Sequence, residues 1–172
     1  MSSNVIKDLV KQAKNGDTAA FGKLYTTVAA DLYRFAVFQT GSPTRAEDAV
    51  SEAVLRAFQK IRNLEKAQAF RSWMFSILLN CCREQLREKQ AQLHTVSPED
   101  ANAPQDAVDL SENAALKQAM AQLEAEEREL FLLSVLFGYT SKELAEMTNS
   151  KPGTVRSRLF RTKEKLQALL KE

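Results

Sequence analysis

Apolar residues recur along this chain at three- and four-residue intervals, and almost every ordered stretch reads as an amphipathic helix. Val5 to Ala13 is a short helix, stopped by Asn15-Gly16. Asp17 is placed to cap a long helix whose Phe21, Leu24, Tyr25, Val28, Leu32, Phe35 and Ala36 share one face, ending at Gly41-Ser42-Pro43. Thr44 with Glu47 has capping-box spacing. The helix it opens carries a stripe of Ala46, Ala49, Val50, Ala53, Val54, Ala57, Phe58 and Ile61. Arg62 to Ala69 has no stripe and reads as a loop. Phe70, Trp73, Met74, Ile77, Leu78 and Cys81 mark a fourth helix running to about Lys89, and its aromatics read first as packing.

The pattern then stops. From Ala91 to about Leu110 there is no apolar period, but Ser97-Pro98, Pro104 and the acids Glu99, Asp100, Asp106 and Asp109, with Glu112 just beyond. This composition predicts a flexible acidic linker. Helical spacing resumes with Leu116, Ala119, Met120 and Leu123, then Leu130, Phe131, Leu133 and Leu136, stopped by Gly138. The fold expected is all-α: two small helical domains, residues 1–90 and 112–172, joined by a linker at 91–111. Each is near the lower limit for an independent core.

Charge sharpens this division. Residues 1–90 hold 14 Lys and Arg against 9 Asp and Glu; 91–127 hold 1 against 8; 128–172 hold 9 against 5. Two basic blocks around an acidic one suggest two surfaces near phosphate. No apolar run approaches the roughly 20 residues of a membrane span, and the first residues lack a signal-peptide pattern, so a cytoplasmic location is expected. Cys81 and Cys82 sit side by side in an apolar run. They read as small buried hydrophobes, with a redox role as the alternative. His94 is isolated in the linker. With no Gly-rich phosphate loop and no metal-spaced ligands, no catalytic residue, metal or cofactor is expected.

The last forty-five residues are the most informative. Thr140 with Glu143 makes a capping box for a short helix to Thr148. Asn149 makes the turn to a basic helix with apolar Val155, Leu159, Leu166 and Leu169. Arg156, Ser157, Arg158, Phe160 and Arg161 lie between them. Two short helices, a tight turn and a basic second helix form a helix-turn-helix, which places its second helix in the DNA major groove. Arg reaches guanine edges there with two hydrogen bonds, and Thr154 at the helix start suits a phosphate. In the first half, Asp48, Glu52, Arg56 and Gln59 line up opposite an apolar stripe. They are either a solvated face or a dock for a basic partner. Arg62, Lys66, Arg71, Arg83, Arg87 and Lys89 beside aromatic residues suit single-stranded DNA.

These parts together resemble the extracytoplasmic-function, or group IV, sigma factors of bacterial RNA polymerase. The resemblance runs from Gly16-Asp17 to Leu170. It rests on Gly16 to Tyr25, Ala46 to Ala53, Phe70 to Ile77 with Asn80, Leu123 to Leu136, Gly138-Tyr139-Thr140 and Gly153 to Leu159. It implies a non-enzymatic specificity subunit with core RNA polymerase (β′ coiled coil and β flap), promoter DNA and an anti-sigma factor as partners. Tethering at the inner membrane face, through a membrane-bound anti-sigma factor, is a further implication. The resemblance implies core-polymerase binding at Asp48, Ser51, Glu52 and Arg56. It implies a flipped-base pocket at the loop 62–69 with Asn80, so that −10 binding falls to Arg62, Lys66, Arg71, Asn80, Arg83 and Arg87. It implies −35 binding at Thr154, Arg156, Ser157, Arg158, Phe160 and Arg161. Without polymerase the two domains are expected to pack on each other or on the anti-sigma factor, hiding both DNA surfaces. Ser51 stands where the family commonly has Gln, Asn149 where it has Gly, and Ser150 where an apolar residue is usual. A stand-alone helix-turn-helix repressor or activator is the alternative; it would need neither Asp48 nor Glu52.

Overall fold

The structure, a computed structural model, describes residues 1–93 and 114–171. The acidic linker and His94 lie outside the described residues. The regular elements are helical: α1 Ser3–Lys14, α2 Thr18–Thr26, α3 Ala29–Thr40, α4 Pro43–Lys60, α5 Phe70–Leu93, α6 Ala114–Ala121, α7 Ala125–Val135, α8 Ser141–Thr148 and α9 Pro152–Lys171.

Local chemistry sets the boundaries. The Ser2 hydroxyl accepts the Val5 amide to start α1, and Gly16 (φ +93°) turns the chain after it. Asp17 caps α2 by accepting the Ala20 amide at 3.1 Å. The long helix expected between Asp17 and Gly41 is two helices. It breaks at Thr26-Thr27-Val28, where both threonine hydroxyls donate to the carbonyls three residues back and Val28 leaves helical geometry (φ −121°). β-Branched residues lose rotamer freedom in a helix, and back-bonding hydroxyls compete with its ladder. Phe21, Leu24, Val28, Leu32, Phe35 and Ala36 still reach one core, while Tyr25 is half-buried. The cap of α4 is Ser42, not Thr44. Its hydroxyl accepts the Arg45 amide, with Pro43 at the first helical position, where its missing N–H costs nothing. The loop after α4 is ordered by two 3-10 turns, Ile61–Asn63 and Ala67–Ala69.

In the N-terminal half α3, α4 and α5 pack together, with α1 against α2 and the 3-10 turns. Its core is aromatic: Phe35 and Phe75 lie 5.8 Å apart edge to face, and Phe21 meets Phe58 and Phe70. Cys81 and Cys82 are buried. Burial pushes the Cys81 thiol up to about 11 and Cys82 up further, which leaves both as protonated hydrophobes. In the C-terminal half α7 and α8 pack on α9, over Leu130, Leu132, Leu133, Leu144 and Val155. Each fully buried side chain of this size stabilises its half by about 1.5–3 kcal/mol.

The halves also meet. α7 packs on α3 and α8 on α5. Phe137 brings its ring within 5.1 Å of Phe75 and 6.3 Å of Phe35, and Tyr139 within 5.8 Å of Phe75. Arg83 donates twice to Glu129, at 2.6 and 3.3 Å. In the opposite direction Arg128 donates to the carbonyl and side chain of Gln39, whose amide donates to the Ala125 carbonyl. Glu129 is 3% exposed, and its burial, larger than the effect of Arg83, holds its carboxyl above the usual range.

Candidate polymerase and nucleic-acid interfaces

On α4 the helical period leaves one face unburied. Asp48 and Ser51 are exposed and Glu52 and Arg56 half-buried. Arg56 donates to Glu52 at 2.9 Å and, with both terminal nitrogens, to Glu84 on α5 at 3.0 and 2.7 Å. Those hydrogen bonds hold the Glu84 carboxyl below its ordinary range. The sequence pattern missed Glu84, because its partner is 28 residues away. Asp48 forms no ion pair among the described residues.

The loop after α4 borders a groove of about 590 Å³. Lys66, Gln68 and Asn63 line it from the turns, and Arg71, Ser72, Trp73 and Ser76 from α5. The far wall is α8 and its approach: Tyr139, Glu143, Glu146 and Met147. Of the six residues expected at the −10 element, Lys66 and Arg71 line the groove. Arg71 is shared: Nη2 pairs with Asp31 at 3.1 Å, and the guanidinium lies 5.9–6.0 Å from the ring centres of Phe75, Phe137 and Tyr139. Arg62 lies beside the groove, its Nε donating to the Lys14 carbonyl. Asn80 and Arg87 are exposed further along α5, and Arg83 is committed to Glu129. Trp73, read from sequence as packing, is half-buried and faces this space.

The helix-turn-helix forms as its caps dictate. The Thr140 amide donates to Glu143 at 2.7 Å and the Thr140 hydroxyl accepts the Glu143 amide at 3.2 Å. Asn149 takes the left-handed conformation (φ +53°), the one non-glycine residue to do so among the described residues. Asn tolerates this region because its short side chain bonds locally. Ser150, in place of an apolar residue, holds the corner by exchanging hydrogen bonds with Thr148. On α9, Val155, Leu159 and Leu166 point inward, as does Thr162, whose hydroxyl donates to the Arg158 carbonyl. Arg156, Ser157, Phe160 and Arg161 form one exposed shallow surface, with Phe160 65% exposed. Thr154 is exposed in the first turn. Arg158 leaves this set and reaches back toward Glu126 at 3.5 Å.

The family model for sigma-70 region 2 matches residues 24–92, and that for sigma-70 region 4 matches 113–166. The chain is 31% identical over 169 residues to the ECF RNA polymerase sigma factor SigL of Mycobacterium tuberculosis, covering 95% of this chain and 96% of SigL. The chain belongs to the sigma-70 family of RNA polymerase sigma factors. It is 29% identical over 171 residues to the ECF RNA polymerase sigma factor BldN of Streptomyces coelicolor, where it spans 65% of that relative's length. Its fold is similar, with a TM-score of 0.71 and 26% identity, to the sigma factor RpoE of Bartonella quintana, solved in complex with the anti-sigma factor NepR. That match covers 88% of this chain and 96% of RpoE. Sigma factors are transcription-initiation factors and not enzymes. No helix among the described residues is long and apolar enough to cross a membrane.

Proposed function

We propose that this sigma factor binds core RNA polymerase through the outer face of α4 and directs it to promoters with two nucleic-acid surfaces. Asp48 and the Glu52–Arg56–Glu84 network meet a basic coiled coil of the β′ subunit, and the C-terminal half meets the β flap. The loop groove holds a base flipped from the −10 non-template strand. Unstacking that base costs a few kcal/mol, offset by Trp73 and by cations at Lys66, Arg62 and Arg71. Asn80 and Arg87 extend this face along α5, and Arg83 joins it when it leaves Glu129. The exposed surface of α9 enters the major groove of the −35 element, with Arg156, Ser157, Phe160 and Arg161 at base edges, Thr154 at phosphate and Arg158 at the rim. An anti-sigma factor holds the protein inactive, the kind of partner with which RpoE was solved. It works in the cytoplasm, and a membrane-bound anti-sigma factor would tether it at the inner membrane face.

One observation carries this reading: a region 2 groove and a region 4 helix-turn-helix with an open α9 face occur in one chain. Co-elution with bacterial core polymerase tests it. Wild type should co-elute, and an Asp48→Lys/Glu52→Lys double variant should not. A wild type that binds duplex DNA alone and ignores polymerase would overturn the proposal.

A further inference from the structure

α1 precedes the segment that the region 2 family model matches. Its one-sided charge is not explained by folding. Leu9, Val10 and Ala13 are buried, and the neighbouring stripe carries Lys7, Lys11 and Lys14 at spacings of four and three residues. At 1.5 Å per residue this stripe runs about 10 Å along the helix. None of these lysines, nor Lys66, forms an ion pair among the described residues. Packing brings the four together. α1 rests on both 3-10 turns, Arg62 anchors the loop to the Lys14 carbonyl, and a second groove of about 440 Å³ opens between them. Four lysines line it against one carboxylate, Glu65.

This groove adjoins the first: Glu65, Lys66 and Gln68 line both. The two differ in chemistry. The first has Trp73 to stack a base; the second has no aromatic residue and so offers charge without base readout. They differ in cover too. The C-terminal half walls the first and contributes nothing to the second. We infer that the α1 lysine stripe is a sequence-neutral track for the phosphate backbone of single-stranded DNA, continuing the strand whose bases enter the loop groove. The inference rests on the −10 reading of that groove. Adjacency to a base-stacking groove selects a single strand over a duplex, and the charge ratio selects a polyanion.

The test uses the full chain and fluorescein-labelled oligothymidylates, one of about 6 nucleotides to fill only the loop groove and one of about 20 to reach both. Binding is read by anisotropy as salt is varied. Wild type should bind the long strand more tightly than the short. A Lys7→Gln/Lys11→Gln/Lys14→Gln variant should bind the short strand as wild type does and lose the advantage of the long one. Its log–log salt slope on the long strand should be shallower by about 2, at ~0.7 per lost phosphate contact. The corresponding triple Arg variant should bind as wild type does. An unchanged slope in the Gln variant, or no gain from length in wild type, overturns the track and leaves the loop groove standing. Equal loss on a duplex of the same length overturns the single-strand assignment. If wild type ignores the short strand yet binds the long one through the lysines, the strand does not continue into the loop groove of the packed chain, and the proposal as stated is overturned.

Discussion

The loop groove and the α9 face are both candidate DNA surfaces, yet the fold treats them differently. The α9 face stands open, with Phe160 65% exposed and Arg156, Ser157 and Arg161 around it. The loop groove is walled by α8, so Glu143 and Glu146 sit where a nucleic-acid strand would approach, and Arg71 is held under Tyr139 and Phe137. The packed arrangement therefore covers one side of the loop groove and leaves the α9 face open. Under the proposed function the α9 face meets a −35 duplex without rearrangement, whereas full access to the loop groove requires the halves to part. What resists parting is a small set of contacts: the Phe35–Phe75–Phe137 cluster, the two-point Arg83–Glu129 pair and the Gln39–Arg128 exchange.

The largest expected break in this asymmetry comes from Arg83→Ala. Glu129 would then be buried without its cation, and stranding one member of a buried pair costs about 3–5 kcal/mol. The halves escape that cost by separating, because Glu129 then regains water. Small-angle scattering on the full chain should show a larger radius of gyration. Glu129→Gln should do much less, since it removes the buried charge and leaves Arg83, whose side chain is 35% exposed, partly solvated. Equal expansion in the two variants would show that the pair is not what holds the halves together. Neither variant should alter the affinity of α9 for duplex DNA.

Arg161→Ala tests the open side. On a −35 duplex it should cost about 1–3 kcal/mol and relax one base position. A uniform loss across sequences would make Arg161 a phosphate contact instead. Because the α9 face is already open, the loss should be the same in the Arg83→Ala background.

How much of this was legible in the sequence follows the range of the interactions. Helices, most of their ends and the helix-turn-helix were readable because periodicity and caps act over three or four residues. Asp17, Thr140 and Asn149 behave as their types require. The break at Thr26-Thr27-Val28 was missed because the apolar stripe continues across it, and the Ser42 cap because Thr44-Glu47 offers the same spacing two residues later. The candidate surfaces were legible only in part. Lys66 and Arg71 meet in one groove, but α8 as its wall, Glu84 behind Arg56 and Glu129 opposite Arg83 come from residues tens of positions away. No local pattern encodes such pairings. The region 2 and region 4 matches bound the two halves but say nothing of how they meet.

The smallest expected effect is a pH dependence with opposite signs at the interface and within the halves. Burial raises the Glu129 carboxyl in the packed arrangement, and parting the halves returns it toward its ordinary value near 4.5. The packed form therefore holds a proton more tightly than the parted one. Lowering the pH through the raised value favours packing, and raising it weakens the contact. Within the halves the sign reverses. Glu84, lowered by Arg56, stabilises the N-terminal half above its ordinary value and loses that contribution as the pH falls. Glu127 does the same for the C-terminal half: burial pushes it up, but the Glu124 amide and Lys165 outweigh that and leave it lowered. Mild acid should thus reduce the radius of gyration of the intact chain while lowering its thermal stability. Glu129→Gln should abolish the compaction and keep the loss of stability. Compaction that persists in that variant would move the proton-sensitive group elsewhere on the interface, and no compaction in wild type would mean that Arg83 overcomes the burial of Glu129.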